Sequence, residues 1–398
     1  MRLLVAGAVS PGPVCVLGDV DLVSALGMAG LKSVVMADPD DPVRFSRHVV
    51  GTLPMLDHWT EPEKLVSCLV QWALAQEEKA VLIPQTDGDL LLVSRNRAAL
   101  SPHFRFTVAD EWLLEQLIHK DRFQVLAHQL QLDVPAAHVI STDTASTIPR
   151  GMRLPVVVKP LTRRGLAGLS NEGKAIRIDS EAEFQALRGR RPTCDLDLLV
   201  QELVPGPESR IESWHGYIDD AGKLAGQFCG RKVRTWPLEY GHSTALQITA
   251  TPDVARAGQD IAERLSLRGL VKMDFKRDPA GVLRLLEVNP RATLWLHPGA
   301  VAGVNLAALL HADLAEIPRP PVLPLRTGVT WCAPRDDWRA ARALGMSRSA
   351  WLAWTLRCPA RSGASWSDPT PFLRGQLAPA LMRRLARAAG RSRTEPET

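Results

Sequence analysis

The sequence predicts two kinds of architecture in one chain: an α/β unit built on a parallel sheet, followed by an α+β region rich in antiparallel pairs. Three observations carry this. From Met1 to about Ser101, apolar strand-like runs alternate with helix-like segments, the pattern of parallel strands joined by crossover helices. From about Pro102 to about Ala315, short apolar runs follow one another with little between them. Two of these, "VKMDFKR" and "VLRLLEVN", are joined by Asp278-Pro279-Ala280-Gly281, a turn-forming sequence that makes them a hairpin.

In order, the first unit (1–101) is expected to open with the strand "RLLVAGA", then "GDVDLVSALGMAG" as a helix, "KSVVMADPD" as a strand, and "AVLIPQTDG" leading into "DLLLVSRNRAAL". The turn "AGAVSPGPV" lacks G-x-G-x-x-G spacing, which argues against a dinucleotide site. In the second unit (102–316), Phe123, Leu126 and Leu130 recur at helical spacing. The strands "LPVVVKP", "KAIRID", "DLLVQELV", "ESWHGYI", "LAGQFCG" and the hairpin follow. "IPRPPVLP" (317–324) is a proline-dense connector. The remainder, to residue 398, holds five of the eleven tryptophans and reads as a small C-terminal module.

A chain of 398 residues with 45% hydrophobic content suits two or three domains at roughly 100 to 200 residues each. The net charge of +5 is concentrated near the C-terminus, so a general nucleic-acid binder is not expected. Six cysteines are scattered without a C-x-x-C pair, which fits free thiols in a reducing cytoplasm. The N-terminal apolar run is short for a signal sequence, and no run approaches the roughly 20 residues that span a bilayer. Near the end, Leu377, Leu381, Leu385 and Ala388 share one helical face, with Arg383, Arg387 and Arg391 on another. Such a helix either packs on its own protein or makes peripheral contact with an anionic membrane.

The hairpin raises the chemical question. Alternation puts Leu285, Glu287 and Asn289 on one side. A turn symmetric about Pro279 and Ala280 sets Asp274 opposite Leu285 and diagonal to Glu287, so Asp274, Glu287 and Asn289 converge. Two neighbouring carboxylates repel unless a cation neutralises them, and three hard oxygen donors suit magnesium. The alternative is surface pairing with Lys272, Lys276 or Arg284.

An acid, then Glu-x-Asn thirteen residues later, then Pro-Arg, resembles the ATP-grasp superfamily. That resemblance implies an ATP-grasp architecture with a parallel-sheet pre-ATP-grasp domain, and ATP with two magnesium ions, replaceable by manganese, held by Asp274, Glu287 and Asn289. It further implies Lys120 and Lys159 at the nucleotide phosphates, although His119 stands where the family often has Asp. Glu202, Leu203 and Val204 fall at the adenine hinge and Glu208 at the ribose. Arg163, Arg164 and Gly165 fall in a glycine-containing loop over the triphosphate. Gly168 to Lys174 nearly spells a Walker motif, but Ala175 replaces its Ser or Thr and a strand follows, so that reading is rejected.

By the same resemblance Arg291 steadies a phosphate or the tetrahedral intermediate. Lys232 and Arg234, expected on one strand face beside Arg231, hold the acceptor carboxylate or acyl phosphate. "GRKVRTWPLEYG" resembles carboxylate-amine ligases, some of which act on cell-surface polysaccharide or peptidoglycan precursors. A small amino acid is another substrate class open to it, and so is assembly as a homodimer. A kinase-like ATP-grasp enzyme and a non-catalytic nucleotide-binding scaffold are the competing readings. His215, His242 and His297 form no H-x-x-x-H pair; they are expected to be structural or to touch substrate, and zinc is not expected.

Overall fold

A computed structural model describes residues 13–140, 147–161, 175–189, 197–379 and 382. The first sheet is parallel: β1 (Val14–Leu17), β2 (Ser33–Ala37), β3 (Val49–Pro54), β4 (Ala80–Pro84) and β5 (Phe104–Arg105), in the order β3-β2-β1-β4-β5. The chain leaves β1 towards β2 and β3, then resumes on the other side with β4. The carboxyl ends of β1 and β4 therefore flank a topological switch point, where crevices form in such sheets.

The expected opening strand "RLLVAGA" lies outside the described residues. The stretch taken for the turn after it ends at Val14, where the central strand begins. Val14 to Leu17 are four successive buried apolar residues, as a strand covered on both faces requires. The turn that follows is Gly18-Asp19, and Asp19 caps the helix Val20–Met28 by accepting from the Asp21 and Leu22 amides.

A small antiparallel sheet follows: β6 (Ala137–Ile140), β7 (Val156–Pro160), β8 (Ile176–Ile178) and β9 (Leu198–Glu202), in the order β6-β9-β7-β8. The helix Glu181–Gly189 covers one face, burying Phe184 among Ile140, Val156, Val158, Ile178 and Val200.

The large sheet contains β10 (Ile211–Ile218), β11 (Leu224–Trp236), β12 (His242–Thr249), β13 (Gly269–Arg277), β14 (Leu283–Asn289), β15 (Thr330–Cys332) and β16 (Ala360–Arg361). Its order is β14-β13-β10-β11-β12-β15-β16. One face packs Trp214, Met273 and Phe275 against the helices Glu111–Ile118, Lys120–Gln129 and Pro252–Arg264. On the opposite face Tyr217, Phe228 and Ile248 share a core with Leu22, Leu26 and Val35 of the first unit.

The tail is built into this body rather than set apart. β15 pairs with β12, and β16 with β15. Buried Asp21 in the first unit accepts from Trp331 Nε1 at 2.8 Å and Ser362 Oγ at 2.7 Å, and bonds His297 Nδ1 at 2.8 Å. Most of the basic helix expected at the C-terminus lies outside the described residues. Among the described residues, no helix is long and apolar enough to cross a membrane.

Candidate functional site

Residues paired across adjacent strands point to the same face. In the large sheet Ser213, Asp274 and Glu287 form one such row, and His215, Lys272 and Asn289 the next. Asp274 thus lies directly opposite Glu287, where a symmetric turn would have set it opposite Leu285. The cause is a register shift between Asp274 and Phe275: Phe275 pairs with Leu285 and Asp274 with Glu287, so Leu286 is extra. The bulge corrects the expected grouping. Leu285 goes to the helix-covered core with Phe275, while Glu287 and Asn289 stay on the other face with Asp274.

Asp274 is buried and accepts from Ser213 Oγ. Lys272 reaches both carboxylates, at 2.6 Å from Asp274 Oδ2 and 3.6 Å from Glu287 Oε1, and Lys232 Nζ lies 3.9 Å from Asp274 Oδ2. Burial would lower the Lys272 pKa, but Asp274 and Glu287 outweigh it and hold it above its ordinary value. Asn289 Nδ2 donates to Glu287 Oε1 at 3.1 Å. An ammonium already bridges the two carboxylates, so the donor set fits a hard cation. Among the described residues no cluster of three His, Cys, Asp or Glu side chains is placed to hold a metal. A cation here would therefore use the Asn289 carboxamide together with water or phosphate oxygens.

The small sheet brings more cations to the same cleft. Lys159, at the end of β7, donates to Gln201 Oε1 at 2.7 Å, and Lys120, opening its helix, donates to the Pro160 carbonyl at 2.8 Å. Burial pushes the Lys159 pKa down to about 8; Glu287 and Glu208 oppose the shift, and Lys120 and Lys232 add to it. Lys159 is therefore within electrostatic reach of Glu287 on the large sheet, with Lys120 beside it at the end of β7. Glu208, on the short turn Glu208–Arg210, lies 3.6 Å from Lys276 Nζ. The turn between β11 and β12 carries Tyr240 into the same region. Burial and then Glu239 push its pKa up to about 12, Arg177 opposes, and Glu208 and Asp179 add to the rise. Tyr240 thus feels charged groups from both sheets, and no sequence pattern singled it out.

This arrangement of sheets has solved counterparts. The L-amino acid ligase from Bacillus licheniformis superposes with a TM-score of 0.61 at 15% identity, over 80% of this chain and 78% of that one. Biotin carboxylase from Campylobacter jejuni, solved as a βγ-ATP complex, superposes with a TM-score of 0.59 at 11% identity, over 80% and 74%. The chain has the ATP-grasp fold. A family model described as "ATP-grasp in the biosynthetic pathway with Ter operon" matches residues 195–331 of it, which include all three candidate metal ligands. A D-aspartate ligase from Enterococcus faecium (strain Aus0004) is 23% identical over 289 residues, or 68% of each chain.

Within this ATP-grasp cleft, several expected contacts fall elsewhere. Arg234 and Lys232 do not share a face. Register shifts on either side of Arg234 break the alternation, and Asp337 captures its guanidinium with two 2.8 Å bonds while Trp354 lies 4.0 Å beneath it. Arg234 is a buried structural residue holding the tail, and of the two it is Lys232 that faces Asp274, beside Lys272. Arg231 donates to Gln247 Oε1 at 2.9 Å.

Arg291 does not project into the cleft as a loose phosphate ligand. It donates to Asp87, to the Gln85 carbonyl at 2.8 Å and to Asn289 Oδ1 at 3.2 Å. At the expected adenine hinge, β9 is an interior strand of its sheet rather than an edge. The Glu202 amide donates to Ala136 O at 2.8 Å and the Leu203 amide to Pro155 O at 3.1 Å. The Glu202 side chain pairs with Arg153. Val204 follows as a buried residue. Arg163, Arg164 and Gly165 lie outside the described residues.

The histidines have separate surroundings. His297 belongs to the Asp21 network. His215 stacks between Phe228 at 4.6 Å and Trp295 at 4.9 Å, and burial, helped by Lys272, pushes its pKa well below the ordinary value. His242 is exposed. Lys272, which the sequence offered with Lys276 and Arg284 as a pairing partner of the carboxylates, is the one of the three that meets both of them. Its place two residues before Asp274 on one strand was a legible same-face signal.

Proposed function

We propose that this protein is an ATP- and magnesium-dependent ligase that joins a carboxylate to an amine. One observation carries the reading: Asp274, Glu287 and Asn289 share one sheet face, in a cleft with Lys159, Lys120 and Lys232. In the reaction, a carboxylate oxygen attacks the γ-phosphorus of ATP and ADP leaves. The amine then attacks the acyl carbon and phosphate leaves. Bound at the three oxygen donors, magnesium would neutralise charge on the transferring phosphoryl group; two ions are expected, and manganese can substitute.

The chain's own residues supply the remainder. Lys159 and Lys120 attract phosphate oxygens, and Glu208 takes the ribose hydroxyls. Lys232 orients the acyl phosphate. Arg291 fixes Asn289 rather than touching phosphate. No side-chain nucleophile is required, because proximity and charge stabilisation carry both steps. The similarity to a D-aspartate ligase and an L-amino acid ligase favours an amino acid as one substrate. A cell-surface precursor is the corresponding larger partner.

The test is phosphate release from ATP and magnesium with a panel of carboxylates and amines, amino acids foremost. Release that requires one acid and one amine together, with ADP as co-product, supports the proposal. ADP release that never depends on an amine assigns a kinase instead.

A further inference from the structure

We propose that Lys272 is the built-in counter-cation of the metal site: its ammonium holds Asp274 and Glu287 together until a divalent ion displaces it. The inference rests on the metal reading above and adds how the metal enters. Each of the three candidate ligands is engaged by the chain's own groups. Asp274 takes Ser213 Oγ and Lys272, Glu287 Oε1 takes Lys272 at 3.6 Å and Asn289 Nδ2 at 3.1 Å, and Asn289 Oδ1 takes Arg291 at 3.2 Å.

With Lys272 at 2.6 Å and Lys232 at 3.9 Å, Asp274 Oδ2 has two ammonium groups within 4 Å. A divalent ion entering the same gap would lie against the Lys272 charge, and like charges at contact distance in a sheltered cleft repel strongly. One cation must leave, and Lys272 can. Its backbone is fixed in β13 opposite His215 and Asn289, but its ammonium rides on a flexible four-carbon stem. Asp274 stays in place because Ser213 holds it independently. The displaced ammonium then swings along the same sheet face towards a nucleotide phosphate oxygen, so the group that neutralises the carboxylates joins the nucleotide's ligands.

Manganese titration of the full-length protein, with free Mn2+ followed by electron paramagnetic resonance, tests this without turnover. Lys272→Met and Lys272→Gln remove the counter-cation, and Lys272→Arg keeps a charge there. The proposal expects both neutral variants to bind Mn2+ roughly tenfold or more tightly than wild type, because the carboxylates lose their competitor. Their melting temperatures should also drop without divalent ions and rise further on adding magnesium than that of wild type. The arginine variant should bind within a few-fold of wild type. Equal or weaker Mn2+ binding by a folded neutral variant overturns the exchange while leaving the metal site standing. Mn2+ retained by neither wild type nor variants overturns the metal reading itself, and the exchange with it.

Discussion

The Arg291 guanidinium is ion-paired with Asp87, the first residue of the helix Asp87–Arg95 that follows β4 of the first sheet, and another of its nitrogens donates to Asn289 Oδ1 at 3.2 Å. The switch point of the parallel sheet is thereby fastened to a candidate metal ligand on the large one. An acceptor seated in that crevice would be held in register with the nucleotide.

Breaking this link should impair chemistry more than nucleotide binding. Asp87→Ala leaves Arg291 free to pull Asn289 out of line, and misplacement of about 1 Å costs on the order of 100-fold in rate. The expected result is a large fall in kcat with a small change in the KM for ATP, measured by steady-state phosphate release. A KM effect alone would contradict the positioning role.

Glu287→Ala and Asn289→Ala are expected to abolish ATP turnover while leaving circular dichroism unchanged. Glu287 is exposed and Asn289 partly so, and neither side chain fills a core. Turnover near the wild-type rate in either variant would remove the metal assignment.

Lys159 predicts a pH signature. Its folded-state pKa of about 8 lies below the ordinary 10.5, so between these values the unfolded chain binds the extra proton. This group's contribution to stability therefore rises as pH increases from about 8 to about 10.5, and below that window the buried charge opposes folding. Phosphates drawn to Lys159 restore its proton. ATP binding at pH 8.5 should thus take up protons, visible as a buffer-dependent calorimetric enthalpy, and Lys159→Met should lose most of that uptake.

Arg234 and Asp337 are expected to act on stability rather than on substrate. Removing one partner of a buried, doubly bonded pair costs about 3–5 kcal/mol. Arg234→Ala should lower the denaturation midpoint markedly, and the double variant with Asp337→Ala should cost less than the two single losses added together. A folded Arg234→Ala protein of normal stability but lost turnover would return Arg234 to the active site.

Much of this was legible in the sequence because it depends on local periodicity and turn chemistry. The hairpin around Asp278-Pro279-Ala280-Gly281 and the shared face of Glu287 and Asn289 are of this kind, whereas Lys159 was picked out by the resemblance to ATP-grasp proteins. What escaped depended on one-residue shifts or distant partners. The extra Leu286 sends Leu285 to the opposite face, and the shifts beside Arg234 turn it towards Asp337, more than 100 positions away. Asp87, 204 positions before Arg291, could not be paired with it by any local rule. The central strand Val14–Leu17 was obscured by the prolines just before it, which read as a turn although they lead into a buried strand.

The most direct test of the acyl-phosphate account is isotope transfer. With an accepted carboxylate labelled with oxygen-18 in both oxygens, each turnover should place one labelled oxygen in the released phosphate and leave one in the amide product, as read by mass spectrometry. Phosphate carrying no label while amide product accumulates would contradict the account, because the carboxylate would not have taken the phosphoryl group.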